Sequence, residues 1–156
     1  TIDAMRAPVT AAQYRRFLAA TSRPLFDCPA APASTQGCIT ADDAERFAAW
    51  YAAQTGAPYR LPTRAEMRSA VPKLAPVAAR AWTSTCDERR VEQKQNVARR
   101  AWSGVRQAFG RDRLRGRSTV ACVGNYAVAL DGRGNDALVL ERGAPDTIVV
   151  LVRDGD

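Results

Sequence analysis

Three times in its first seventy residues the chain writes the same helix start. A threonine hydroxyl stands ready to accept from the free N–H groups of a first turn, and a side chain three residues later can reach back to the cap. The three starts are Thr10-Ala-Ala-Gln13, Thr40-Ala-Asp-Asp43 and Thr63-Arg-Ala-Glu66. The first predicts a helix with Tyr14, Phe17 and Leu18 on one face, ending near Thr21 ahead of Pro24. The second predicts a helix from about Ala41 to Gln54 that buries Ala44, Phe47, Ala48 and Tyr51 and stops at Gly56, a residue suited to a left-handed cap. The third is short, because Pro72 ends it after two turns. Beyond Arg117 the period changes. Ser118–Leu130, Ala137–Glu141 and Thr147–Arg153 are β-branched or apolar runs separated by Gly, Asp and Pro, which predicts strands of a small antiparallel sheet. Helices first and strands last make an α+β chain, and 156 residues are enough for one domain with its own core.

The formal charge of +7 is not spread evenly. Residues 80–118 hold eleven Arg or Lys against four Asp or Glu, and the remainder is balanced at twelve against twelve. From Arg89 to Phe109 the stripe Val91, Ala98, Trp102, Val105 and Phe109 has helical spacing, with Gly110 as its stop and the basic residues on the other side. Residues 87–117 therefore read as a basic helical insertion whose charged back faces solvent. A surface for an acidic protein, an anionic glycan or phospholipid headgroups is the sharper alternative. Aromatic residues do not interleave the basic run and no base-reading motif is present, so nucleic acid is not the favoured partner. Asp131-Gly-Arg-Gly-Asn-Asp136 has neither the spacing nor the closing Glu of an EF-hand, so it reads as a hairpin turn, and a structural calcium there is unsupported.

Histidine is absent, which excludes a Ser-His-Asp triad, a His-ligated metal and an imidazole acid-base catalyst. No run approaches the 18 apolar residues of a membrane span, and no basic-then-apolar leader opens the chain. The first residue is Thr1, which suggests a piece of a larger protein. Of the four cysteines, Cys28 and Cys38 flank a Pro/Ala/Ser/Gly-rich stretch with little secondary structure to hold it, and a bridge across it would be worth roughly 2–3 kcal/mol of unfolded-chain entropy. Cys86 and Cys122 remain as a long-range pair. Two bridges would place the domain in the periplasm or outside the cell; the alternative is four buried thiols in the cytoplasm.

Three stretches carry a family likeness: Pro8-Val-Thr-Ala-Ala-Gln-Tyr-Arg-Arg-Phe-Leu18, then Ala41-Asp-Asp-Ala-Glu-Arg-Phe-Ala-Ala-Trp50, then Tyr59-Arg-Leu-Pro-Thr-Arg-Ala-Glu66. In order and spacing they resemble the formylglycine-generating enzyme (sulfatase-modifying factor) family. Ala81-Trp82-Thr83-Ser84 and Val149-Val-Leu-Val-Arg-Asp154 look like that family's later strands, so the resemblance runs from about residue 6 to 154, with 87–117 lacking a counterpart. It implies a C-type-lectin-like fold, helices around a small, irregular sheet. These are packing motifs, so chemistry has to be read from the site.

Members that make formylglycine hold copper(I) between two cysteines five apart, because soft thiolates suit that ion. The equivalent run here is Cys122-Val-Gly-Asn-Tyr-Ala127, in which a methyl group stands at the second ligand position. The resemblance therefore implies a frame without its metal pair: no catalytic residue, no metal site and no cofactor. The function expected is a recognition or sensor module of a larger bacterial protein. Similar domains occur as extracytoplasmic parts of membrane-anchored serine/threonine kinases, with the domain itself outside the membrane. Trp82, Asn125, Tyr126 and Arg142 are the candidate contacts for a protein, peptide or glycan ligand; each could equally be a packing residue, and for Trp82 burial in the core is the expected state. The alternative is a divergent copper-dependent oxidase that uses Cys122 with a partner such as Cys86, which requires both thiols to be free.

Overall fold

The threonine caps set the helices in place. Thr10 accepts from the Gln13 N–H at 3.1 Å while Gln13 Oε1 accepts from the Thr10 N–H at 2.9 Å, and helix α1 (Ala11–Ala20) follows. Thr40 accepts from the Asp43 N–H at 3.2 Å to open α2 (Ala41–Thr55), with Asp42 and Asp43 against the positive end of the helix dipole. That helix closes on Gly56 at φ +66°, a left-handed turn in which a side chain would be strained. A second capping box, Thr63 with Glu66, opens α3 (Arg64–Ala70), and a single 3-10 turn containing Pro72 (Val71–Lys73) ends it. This computed structural model describes residues 2–25, 28, 34–74, 76–92, 118–131, 137–139 and 146–155.

Among the described residues seven strands complete the order: β1 (Ile2–Ala4), β2 (Tyr59–Arg60), β3 (Arg80–Glu92), β4 (Ser118–Ala129), β5 (Ala137–Val139), β6 (Thr147–Ile148) and β7 (Val152–Asp154). They form two sheets, ordered β1-β7-β2 and β5-β4-β3-β6. The chain divides into two compact units, Thr1–Asp87 with Gly124–Asp156, and Glu88–Val123. The first holds all three helices. Of the second, the described residues are the outer stretches of β3 and β4, 88–92 and 118–123.

Within the first unit the period of two along the strands sorts side chains between two apolar clusters. Trp82, Ala127, Val149 and Leu151 join Tyr14, Phe17 and Phe47 of α1 and α2, while Ala81, Val128, Ile148 and Val150 join Met67 of α3. The three helical rings lie 5.3–5.7 Å apart, and each fully buried ring contributes roughly 1.5–3 kcal/mol of apolar transfer. Burial pushes the Tyr14 hydroxyl up to about 12, helped by the nearby Asp43 carboxylate. Asp43 also pairs with Arg23, so the end of α1 is tied to the start of α2.

The α+β class holds, and the structure corrects the finer expectations. Where one antiparallel sheet was expected there are two, and β6 runs parallel to β3, with Arg80 opposite Thr147 and Ala81 opposite Ile148. The run 147–153 is not one strand of one sheet. Thr147 and Ile148 pair with β3, the fully buried Val149 and Leu151 carbonyls accept from Val9 and Met5, and Val152–Asp154 pair with both β1 and β2. An apolar run has no mark of where it changes partner. The helix expected from Arg89 does not begin there, because Arg89–Glu92 continue strand β3. The remainder of that expected insertion, 93–117, and the turn residues 132–136 lie outside the described residues. Tyr51, expected in the core, is half-buried and meets Tyr59 edge-on at 5.0 Å.

Candidate functional site

The strand that would carry a copper pair is β4, and alternation along it decides what each position can do. Cys122 is exposed, whereas Ala127 is fully buried in the aromatic cluster with Trp82. All four cysteines are half-cystines. Cys28 is bonded to Cys38, their Cα atoms 5.7 Å apart, and Cys86 and Cys122 are disulfide-bonded as well. A soft metal needs thiolates, and here one position offers a methyl buried in the core while the other has its sulfur in a disulfide. The residues present do not fit a two-thiolate copper centre. Among the described residues no group of three or more Cys, Asp or Glu is placed to hold a metal ion.

The four expected ligand contacts have different fates. Trp82 is not at the surface: it is completely buried, and its indole Nε1–H donates to the Ile39 carbonyl at 2.7 Å. Thr147 Oγ1 donates to the same carbonyl at 3.1 Å, so two core side chains hold the residue that follows Cys38. Asn125 donates its amide to the Thr83 carbonyl at 3.1 Å, and Thr83 Oγ1 donates to the Tyr126 carbonyl at 2.7 Å. This reciprocal clasp fixes Asn125 and Tyr126 of β4 against Thr83 of β3. Tyr126 is half-buried with its ring under the Arg64 guanidinium, 4.2 Å from the ring centroid. Arg142 lies outside the described residues.

Asn125 is thus bonded to the Thr83 carbonyl, while Tyr126 lies against Arg64, a residue the sequence did not single out. Its position is fixed locally: the Arg64 N–H donates to Thr85 Oγ1 at 2.9 Å, and the Ser84 N–H donates to the Pro62 carbonyl at 2.8 Å. The start of α3 is therefore fastened to β3, and the capping threonine and proline of Leu61-Pro62-Thr63 are what present Arg64 to the tyrosine.

A concave feature lies elsewhere in the same unit. A groove of about 620 Å³ runs between β1 with its continuation to Arg6 and α3 with the 3-10 turn after it. Glu66 and Asp3 line it, each already matched to an arginine. Arg60 holds Glu66 through two bonds of 2.8 and 3.0 Å and reaches Asp154 at 2.8 Å, while Arg153 holds Asp3 at 3.0 Å. The Arg60 bonds hold the Glu66 carboxyl down at about 2, and Arg60 is pushed above its usual range in return. Arg6 and Lys73 line the same groove, and neither stood out in the sequence because neither belongs to a cap, a stripe or a motif.

No family model matches this sequence, and neither the comparison with curated proteins nor that with solved structures returns a match.

Proposed function

We propose that this chain is a non-catalytic recognition module built on a C-type-lectin-like frame of the sulfatase-modifying-factor kind. In this reading it serves as an extracytoplasmic sensor domain of a membrane-anchored, serine/threonine kinase-type bacterial signalling protein. The observation that carries the loss of chemistry is the pairing of two facts on β4: Ala127 is core, and Cys122 is a half-cystine. The two disulfides support an oxidising compartment. Among the described residues no helix is long and apolar enough to cross a membrane.

Titration with copper(I) under anaerobic conditions, together with an assay for oxidation of a cysteine-containing peptide, tests the reading. It expects no complex at sub-micromolar copper, no peptide oxidation, and no thiol accessible to a blocking reagent in denaturant without reductant. A stoichiometric copper complex abolished by Cys122→Ser would overturn it in favour of the oxidase.

A further inference from the structure

We propose that the groove between β1 and α3 binds an extended acidic peptide segment, which adds as a fourth strand to the outer edge of the β1-β7-β2 sheet. The argument starts from the ladder. β1 is a terminal strand of its sheet, with Ile2, Asp3 and Ala4 opposite Asp154, Arg153 and Val152. In the same register the Met5 N–H donates to the Leu151 carbonyl at 2.9 Å. Antiparallel partners alternate between bonded and non-bonded pairs, so Asp3 and Met5 spend their backbone groups on the inner side. The N–H and C=O groups of Ile2 and Ala4 then point outward, toward the groove, and among the described residues no strand takes them. Such an edge is a ready template for another chain.

Charge decides which chain. The two carboxylates of the groove are neutralised by Arg153 and Arg60, as described above. Arg6 and Lys73 are both exposed and, among the described residues, neither is in an ion pair. The groove therefore presents two uncommitted cations on opposite walls, one following β1 and one following α3. Between them the half-buried Met5 and Leu74 offer apolar contact. A peptide whose side chains alternate between carboxylate and small apolar groups would meet all three features at once: backbone ladder, cations and apolar wall.

This inference rests on the recognition reading for its biological meaning but has its own readout. The probe is a capped octapeptide of alternating valine and glutamate, titrated into the 156-residue chain and followed by amide NMR. Saturable shifts centred on the amides of Ile2, Ala4 and Arg6 are expected. Binding should weaken at least about tenfold in the Arg6→Glu/Lys73→Glu double variant, and equally when alternate peptide amides are N-methylated to remove the ladder donors. No saturable shift, shifts centred elsewhere, equal binding of a valine–lysine octapeptide, or binding indifferent to N-methylation would each overturn the proposal. The N-methylated arm leaves the protein unaltered, so the test does not depend on the variant folding. A copper complex in the earlier experiment would remove the non-catalytic reading and leave this groove standing, whereas a silent titration removes the groove alone.

Discussion

Replacing Trp82 by phenylalanine removes one hydrogen bond and part of a ring from the buried core, and its cost separates a core role from a ligand-binding one. The indole N–H donates to the Ile39 carbonyl at 2.7 Å, a bond worth about 1 kcal/mol net. The smaller ring leaves a cavity worth about another 1–2 kcal/mol, so Trp82→Phe should cost about 2–3 kcal/mol. The Ile39 carbonyl does not become an orphan in that variant, because Thr147 Oγ1 still donates to it at 3.1 Å. Nor does it in Thr147→Val, where the indole remains. Only the double variant strips both donors from a buried acceptor, and an unsatisfied carbonyl costs about 1–3 kcal/mol. The two substitutions should therefore be worse together than their sum by about 1 kcal/mol or more. Urea unfolding of the four proteins with disulfides intact, compared by midpoint and slope, measures this coupling. Additivity to within about 0.5 kcal/mol would refute a shared acceptor, and a cost for Trp82→Phe near zero would refute burial of the indole.

Two further outcomes follow from the geometry. The Cys28→Ser/Cys38→Ser double variant opens a loop with a sequence separation of 10 and should lower stability by about 2–3 kcal/mol in urea, with an unchanged midpoint counting against it. The Glu66 carboxyl is held near 2 in the folded chain against an ordinary 4.5, so its contribution is full above pH 4.5, fades as the pH falls, and is gone below about 2. Arg60 is 38% exposed, so solvent screening limits that contribution to about 1 kcal/mol. The stability gap between wild type and Glu66→Gln, which keeps an acceptor for the Thr63 N–H, should close toward pH 2; a gap that persists there refutes the ion-pair account.

What could be read from the sequence was what neighbours within four residues decide. The threonine caps at Thr10, Thr40 and Thr63, the stop at Gly56 and the α1 face of Tyr14, Phe17 and Leu18 appear as expected, because each is a contact between residues close in the chain; the return bond expected from Asp43 to its cap does not form, its carboxylate being paired with Arg23 instead. Partners far apart were not legible. Nothing near Thr147 marks it for parallel pairing with Arg80, and nothing near Ile39 announces two donors to its carbonyl. The expected helix from Arg89 fails at its start for the same reason: arginines are tolerated in either state, and β3, adjacent to β4 in the sheet order, runs on through 89–92. At the site, the methyl at Ala127 and the cysteine count were plain in the sequence. Burial of Trp82 was expected, but the partners of Asn125 and of the Trp82 indole, Thr83 and Ile39, lie about forty residues away from each and were not legible. The groove cations stayed hidden because an unpaired charge becomes visible only once its neighbours are known to be paired.

The pairing of β7 with both β1 and β2 has a consequence for how the molecule comes together. Residues 2–4 find their partners 150 positions away, and Tyr59 and Arg60 wait for the same short segment. Local helices can form early, but the step that welds the two flanking strands must bring together residues 150 positions apart, a search that contact-order arguments make slow. Until then the aromatic surfaces of the first two helices lack Val149 and Leu151 against them. A chain emerging from the ribosome therefore exposes a sticky half-core until residues 149–151 arrive, and the period when a holdase would matter most is the one just before residue 149 emerges.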